Sequence, residues 1–143
     1  MKRRHLLLSL AGAIALPASA GARAMRLGDI AIAQAWALPV RVSRDGQAFV
    51  TLTNTGTEPE ELVAARSSVC GPIELRRNSR YDDPPLVSFV LAPREALEMK
   101  PAARHLRLMG LVEPLRAGQR LAIILDFLNA GEIEVVFDVR DGA

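Results

Sequence analysis

Apolar and polar residues alternate with a period of two along most of this chain. Leu121, Ile123, Leu125 and Phe127 form one series, interleaved with Arg120, Ala122, Ile124 and Asp126. Ile133, Val135, Phe137 and Val139 form a second, interleaved with Glu132, Glu134, Val136 and Asp138. Successive side chains of a strand point to opposite faces, so each series predicts a strand with one apolar face. Asn129-Ala130-Gly131 separates the two, and residues 119–139 read as a β-hairpin. Earlier strands are predicted at 29–36, 47–54, 60–66, 72–77, 86–91, 95–100 and 103–109. Turn signals at Asp45-Gly46, Asn54-Thr55-Gly56, Gly71-Pro72 and Pro84-Pro85 divide them. No stretch after residue 24 carries an apolar stripe of helical period over ten positions. Eight or nine short strands with frequent turns predict an all-β fold, an antiparallel sandwich or barrel.

Residues 1–24 break this pattern. Basic Lys2-Arg3-Arg4 precedes an apolar run from Leu6 to Leu16, then Pro17 and small residues. This is the build of a cleavable signal peptide, with cleavage expected after Ala20 or Ala24. The run is shorter than the ~20 residues a membrane-spanning helix needs, so no stable membrane insertion is expected after cleavage. Arg3-Arg4 leaves both the Sec and the twin-arginine routes open. Residues 25–143 then form one exported domain, expected in the periplasm.

Cleavage also changes the electrostatics. The whole chain has 18 basic and 16 acidic residues. The signal holds four of the basic ones (Lys2, Arg3, Arg4, Arg23) and no acid, which leaves 14 against 16. The positive balance belongs to the signal, and nucleic acid is not an expected partner. Cys70 is the only cysteine, so no internal disulfide forms and stability rests on packing.

His105 is the only histidine after residue 24, and Met109 follows it by four positions. That pair suggests a soft-metal site. Alternation turns Leu106 and Leu108 inward and puts His105, Arg107 and Met109 on the other face. Ile73 and Leu75 likewise face inward, Glu74 and Arg76 outward. The expected site is a surface patch, not a buried pocket.

Several segments, in order, resemble the PCu(A)C family of periplasmic copper chaperones. Ala35-Trp36-Ala37-Leu38-Pro39 is similar to the family's Ala-Trp-Ala-Arg segment, and Phe49 to Gly56 to its second strand ending Asn-x-Gly. Leu62-Val63-Ala64-Ala65, Ile73-Glu74-Leu75 and Leu97-Glu98-Met99-Lys100-Pro101 follow in register. Leu108-Met109-Gly110-Leu111 and Pro114-Leu115-Arg116-Ala117-Gly118 match the family's Met-Gly-Leu…Pro-Leu-x-x-Gly run. The resemblance covers almost all of residues 25–143. It implies a cupredoxin-like, Greek-key β-sandwich, no enzymatic activity, and a role in carrying Cu(I) to a periplasmic copper-accepting protein, notably for cytochrome c oxidase assembly.

The family holds Cu(I) with a His after the middle-strand Glu-Leu, a Met about ten residues on, and a closing His-x-Met. Imidazole and thioether suit a soft ion and allow hand-over. Here Arg76 follows Glu74-Leu75, the Met position falls near Val87 or Phe89, His105 matches the His, and Arg107 stands at the last Met. One ligand of four remains, and a guanidinium can neither coordinate nor lose its charge.

The candidate metal set is therefore His105 with Met109, Met99 or Cys70, at low affinity for Cu(I). Each has a plainer role: His105 as a surface residue, Met109 and Met99 as packing, Cys70 as a small buried hydrophobe. Met25 is a further thioether at the new N-terminus. Arg76 and Arg107 together suggest an anion or partner patch built on forked hydrogen bonds, or a pair neutralised by Glu74, Asp82 or Asp83. Asp82-Asp83 before Pro84-Pro85 reads as a solvated turn. One His and one Cys do not assemble a hydrolytic triad or a common zinc site. The alternative to a copper chaperone is a copper-independent interaction or anion-binding module on the same fold.

Overall fold

A computed structural model describes residues 24–41 and 44–142; the signal segment up to residue 23, with the cleavage point after Ala20, lies outside them. Among the described residues there are ten strands, nine of which follow the alternation: β1 Met25–Leu27, β2 Ile30–Ala37, β3 Gly46–Asn54, β4 Glu60–Arg66, β5 Ile73–Arg76, β6 Phe89–Leu91, β7 Ala96–Glu98, β8 His105–Leu108, β9 Arg120–Phe127 and β10 Gly131–Val139. The hairpin β9–β10 pairs in register from Gly131 opposite Phe127 to Asp138 opposite Arg120, with Gly131 at φ +95° opening the second strand. The strand not anticipated is β1. Its three residues are too few to show alternation, and it adds to β2 from Met25 opposite Ile32.

The sheet runs β5-β8-β3-β2-β10-β9-β4-β6, with β1 on β2 and β7 on β3. The order is not sequential, as a Greek key requires. Pairings are antiparallel except one: β10 lies parallel to β2, with Asp138 opposite Trp36 and Val139 opposite Ala37. β4 packs against β5 and β6 against β3, so the sheet curls over on itself.

One face of this curled sheet forms the core. Ala48, Val50 and Leu52 of β3 meet Leu106 and Leu108 of β8, Ile123 and Leu125 of β9, and Phe137 of β10, all essentially inaccessible. Their alternate neighbours define the opposite face. Gln47 stands opposite Arg107, Glu74 opposite Arg107 and Arg76 opposite His105, and Trp36 opposite Phe49.

β2 reaches that arrangement through a bulge. Ala33 pairs with Thr51 and Trp36 with Phe49, so β2 carries one residue more than β3 between these points. Gln34 absorbs the extra residue at φ +56°. The bulge keeps Ile32 and Ala37 both on the core face and sends Trp36 to the opposite one.

Candidate functional site

His105, Arg107, Glu74 and Arg76 share one face, as alternation requires, but that face is not solvent-exposed. His105 is fully buried and Arg76 is 3 % exposed, which corrects the expectation of a surface patch. The cover is the segment 77–88. It leaves β5 after Arg76, crosses the sheet face, and returns to bridge Leu86 to Leu75, the Leu86 amide donating to the Leu75 carbonyl at 2.9 Å. Tyr81, the only tyrosine of the chain, is its inward-reaching side chain.

Tyr81 and His105 are joined. The Tyr81 Oη and His105 Nε2 are 2.7 Å apart, and His105 Nδ1 lies 2.7 Å from the Ala103 carbonyl oxygen. A carbonyl only accepts, so Nδ1 carries the proton and Nε2 accepts from the Tyr81 hydroxyl. Burial lowers the His105 pKa; the Ala103 carbonyl works the other way, and the charges of Arg76 and Arg107 reinforce the lowering. Burial raises the Tyr81 pKa, against the pull of the two arginines. Both groups are therefore neutral near pH 7, a hydroxyl donor facing an imidazole acceptor.

The arginines are paired internally. Arg76 donates to Glu74 Oε1 at 3.2 Å and to the carbonyl oxygens of Arg80 at 3.0 Å and Asp83 at 2.7 Å. Arg107 donates through Nε to Asp45 Oδ2 at 2.9 Å and through Nη1 to Glu74 Oε1 at 3.2 Å. Their guanidinium carbons lie 5.1 Å (Arg76) and 3.9 Å (Arg107) from the Tyr81 ring centre, within cation–π range. Two arginines and two carboxylates balance formally. Of the expected neutralising acids, Glu74 acts as such, Asp83 contributes its backbone carbonyl, and Asp45 joins from the turn before β3. Asp82 is exposed.

The other candidate ligands are not gathered around His105. Met99 is 3 % exposed within the core, its amide donating to the Val50 carbonyl. Met109 stays on the β5–β8 ladder: its amide donates to the Pro72 carbonyl at 3.0 Å and its carbonyl accepts from Gly71 at 2.7 Å. The left-handed turn comes only afterwards, at Gly110 with φ +65°. Met109 therefore keeps its strand distance from His105, ~13 Å over four residues. Cys70 adjoins Met109 at that far end, half-buried, its thiol pKa raised by burial. Met25 packs against the core from β1. Among the described residues, no three His, Cys, Asp or Glu side chains are grouped to hold a metal ion.

The cluster extends beyond His105. Phe49 lies 6.2 Å from the His105 ring and 4.5 Å from that of Trp36, and the Arg140 guanidinium sits 5.5 Å above Trp36. A chain of aromatic rings thus runs across the sheet, with arginines at both ends. The sequence signal for Tyr81 was slight: a lone aromatic residue amid polar and turn-forming neighbours.

The neutral, buried state of His105 sets a pH dependence. Its folded pKa lies below the ordinary 6.5. As pH falls below 6.5 the unfolded chain therefore takes up the proton first, and the folded state loses stability. Above that value this contribution is flat. Denaturant titrations at a series of pH values should show the loss below pH 6.5 and a shallower slope for His105→Gln, whose amide offers a donor and an acceptor but does not titrate. Equal slopes for both proteins would show that His105 is not held neutral.

A family model described as "Putative lipoprotein LpqE-like" matches residues 30–139. The "Putative lipoprotein Lxx21020" of Leifsonia xyli subsp. xyli is 29% identical over 144 residues, covering 95% of this chain and 85% of the relative. The copper-bound PCuAC domain from PmoF2 superposes with a TM-score of 0.74 at 19% identity, over 82% of this chain and 97% of that domain. The solution structure of CuI-DR1885 from Deinococcus radiodurans gives a TM-score of 0.64 at 26% identity, over 86% and 84%. The shared architecture is the cupredoxin-like β fold.

Proposed function

Because this chain belongs to the LpqE-like family and shares its fold with PCuAC domains, we propose that it is an exported protein with a copper-chaperone-like role, in which His105 is the retained ligand for Cu(I). The observation that supports this is the state of His105. Its Nδ1–H is tied to the Ala103 carbonyl, the kind of hydrogen bond that fixes the ring of a metal-ligating histidine. Its Nε2 lone pair then points at a hydroxyl that a metal ion would replace. Cu(I) is cargo here, and the finer form of the proposal is delivery in the periplasm to a copper-accepting protein, including for cytochrome c oxidase. The balance of Arg76 and Arg107 by Glu74 and Asp45 moderates the repulsion that bare guanidiniums would exert. Affinity is low because Met109 and Cys70 stand at the far end of β8 and Met99 is packed in the core.

A second reading has its own support. Tyr81 occupies Nε2, and Arg76 stands where the resemblance places a histidine, with its donors directed to internal acceptors. That arrangement suits a derived member that keeps the sandwich as a copper-independent interaction module. As an anion site it would rely on Arg107, the more exposed of the two, which would exchange Asp45 or Glu74 for the anion.

Anaerobic Cu(I) titration against a competing chelator separates the two. On the copper reading the chain takes up one equivalent weakly, His105→Ala abolishes uptake, and Tyr81→Phe, which frees Nε2, tightens it. Absence of uptake by both the parent chain and a folded Tyr81→Phe variant removes the copper reading.

A further inference from the structure

A separate cavity opens at the Trp36 end of the aromatic chain. It has a volume of about 580 Å³ and is lined by Trp36, Met99, Gln34, Thr51, Arg140 and the Glu98–Lys100–Pro101 turn. Its floor is apolar, because Trp36 and Met99 present their edges from the buried layer. The bulge that puts Gln34 at φ +56° also forms one wall, a costly conformation for a residue with a side chain. Thr51 bonds Gln34 across that wall at 3.3 Å.

The electrostatics are set by Arg140. Among the described residues its side chain has no salt-bridge partner, and its Nε is sealed from solvent without an acceptor. Lys100 and Glu98 lie 3.8 Å apart on the exposed rim and largely cancel. No acid compensates this guanidinium among the described residues, and a carboxylate bound in the cavity would supply the missing counter-charge. The planar fork matches a carboxylate in geometry and charge, while the Trp36 ring and Met99 suit an apolar body. The volume is that of a small-molecule site.

We propose that this cavity binds a small carboxylate with an apolar or aromatic body, its carboxylate on Arg140 and its body against Trp36. The site contains neither His105 nor Arg107; of the candidate copper ligands only Met99 lines it, and the proposal does not depend on the copper reading.

Trp36 is the only tryptophan of the chain, so its emission reports occupancy directly. Phenylacetate is the probe, with phenylacetamide and benzylamine as the neutral and cationic counterparts. Phenylacetate should change the emission saturably in the millimolar range or below, and Arg140→Gln should weaken it at least about tenfold. Arg140→Lys, which keeps the charge but loses the fork, should fall between, and Arg66→Gln, far from the cavity, should match the parent. Thermal melts confirm that each variant is folded. No saturable response to phenylacetate overturns the proposal. So does an equal response to phenylacetamide, or undiminished binding by folded Arg140→Gln.

Discussion

The double substitution Arg76→His with Arg107→Met should convert the closed cluster into a Cu(I) site markedly better than the parent's. Both positions flank His105 on one face: Arg76 lies directly opposite it in the β5–β8 ladder, and Arg107 follows it by two residues. On the proposal that this face descends from a copper site, the two changes supply an imidazole and a thioether where the resemblance puts them. They also remove two cations, each of which, unscreened at ~6 Å and an effective dielectric near 20, would oppose a bound cation by about 3 kcal/mol. Glu74 and Asp45 remain, and now favour the ion. Competition titrations should give at least about a hundredfold gain in affinity. A folded double variant that binds Cu(I) no better than the parent would sink the idea that the face descends from a copper site.

Arg76→Met should be among the most destabilising single changes outside the apolar core. Arg76 is nearly inaccessible, and its guanidinium ties the covering segment to the sheet through the Arg80 and Asp83 carbonyls. Methionine fills much of the volume but leaves both carbonyls without this donor and Glu74 with Arg107 alone. Losing one partner from a buried charged network costs about 2–4 kcal/mol, a fall in Tm of roughly 10 °C for a domain of this size. Arg107→Met should cost less, because its guanidinium is nearer solvent and its acids can be hydrated in its absence. A Tm for Arg76→Met within a degree or two of the parent would show that the covering segment is held by other contacts.

These expectations rest on features of unequal legibility. Alternation placed nine of the strands because one face of each is buried against the core, and a one-residue slip would expose every apolar side chain. It also assigned the partners of each face correctly, with Leu106 and Leu108 inward and His105 with Arg107 opposite. What it could not show is what covers that second face. Segment 77–88 has no periodicity, since its role is played by one ring and a few backbone carbonyls. Treating "away from the core" as "towards water" made His105 and Arg76 surface residues, whereas Tyr81 had built a second, smaller interior over them. Asp45 was missed for a related reason: it is distant in sequence and reaches Arg107 only through the pairing of β3 with β8. Gly110 does turn the chain, but one residue too late to carry Met109 back towards His105.

The parallel seam between β10 and β2 bears on how this chain comes to be folded at all. β2 is among the first strands to emerge from the ribosome or a translocation channel, yet its second neighbour is the last. Until residues 131–139 have arrived, the Trp36–Ala37 end of β2 lacks a strand on the flank that β1 covers only at Ile30–Ile32, and until residues 120–127 have, β4 has no β9 beside it. The sandwich cannot be assembled piecemeal from its N-terminal end; loop closure across nearly the whole domain has to precede its completion, which makes folding slow relative to chains with local contacts. On the proposal that this chain is exported, that delay suits a route that threads the polypeptide across the membrane unfolded.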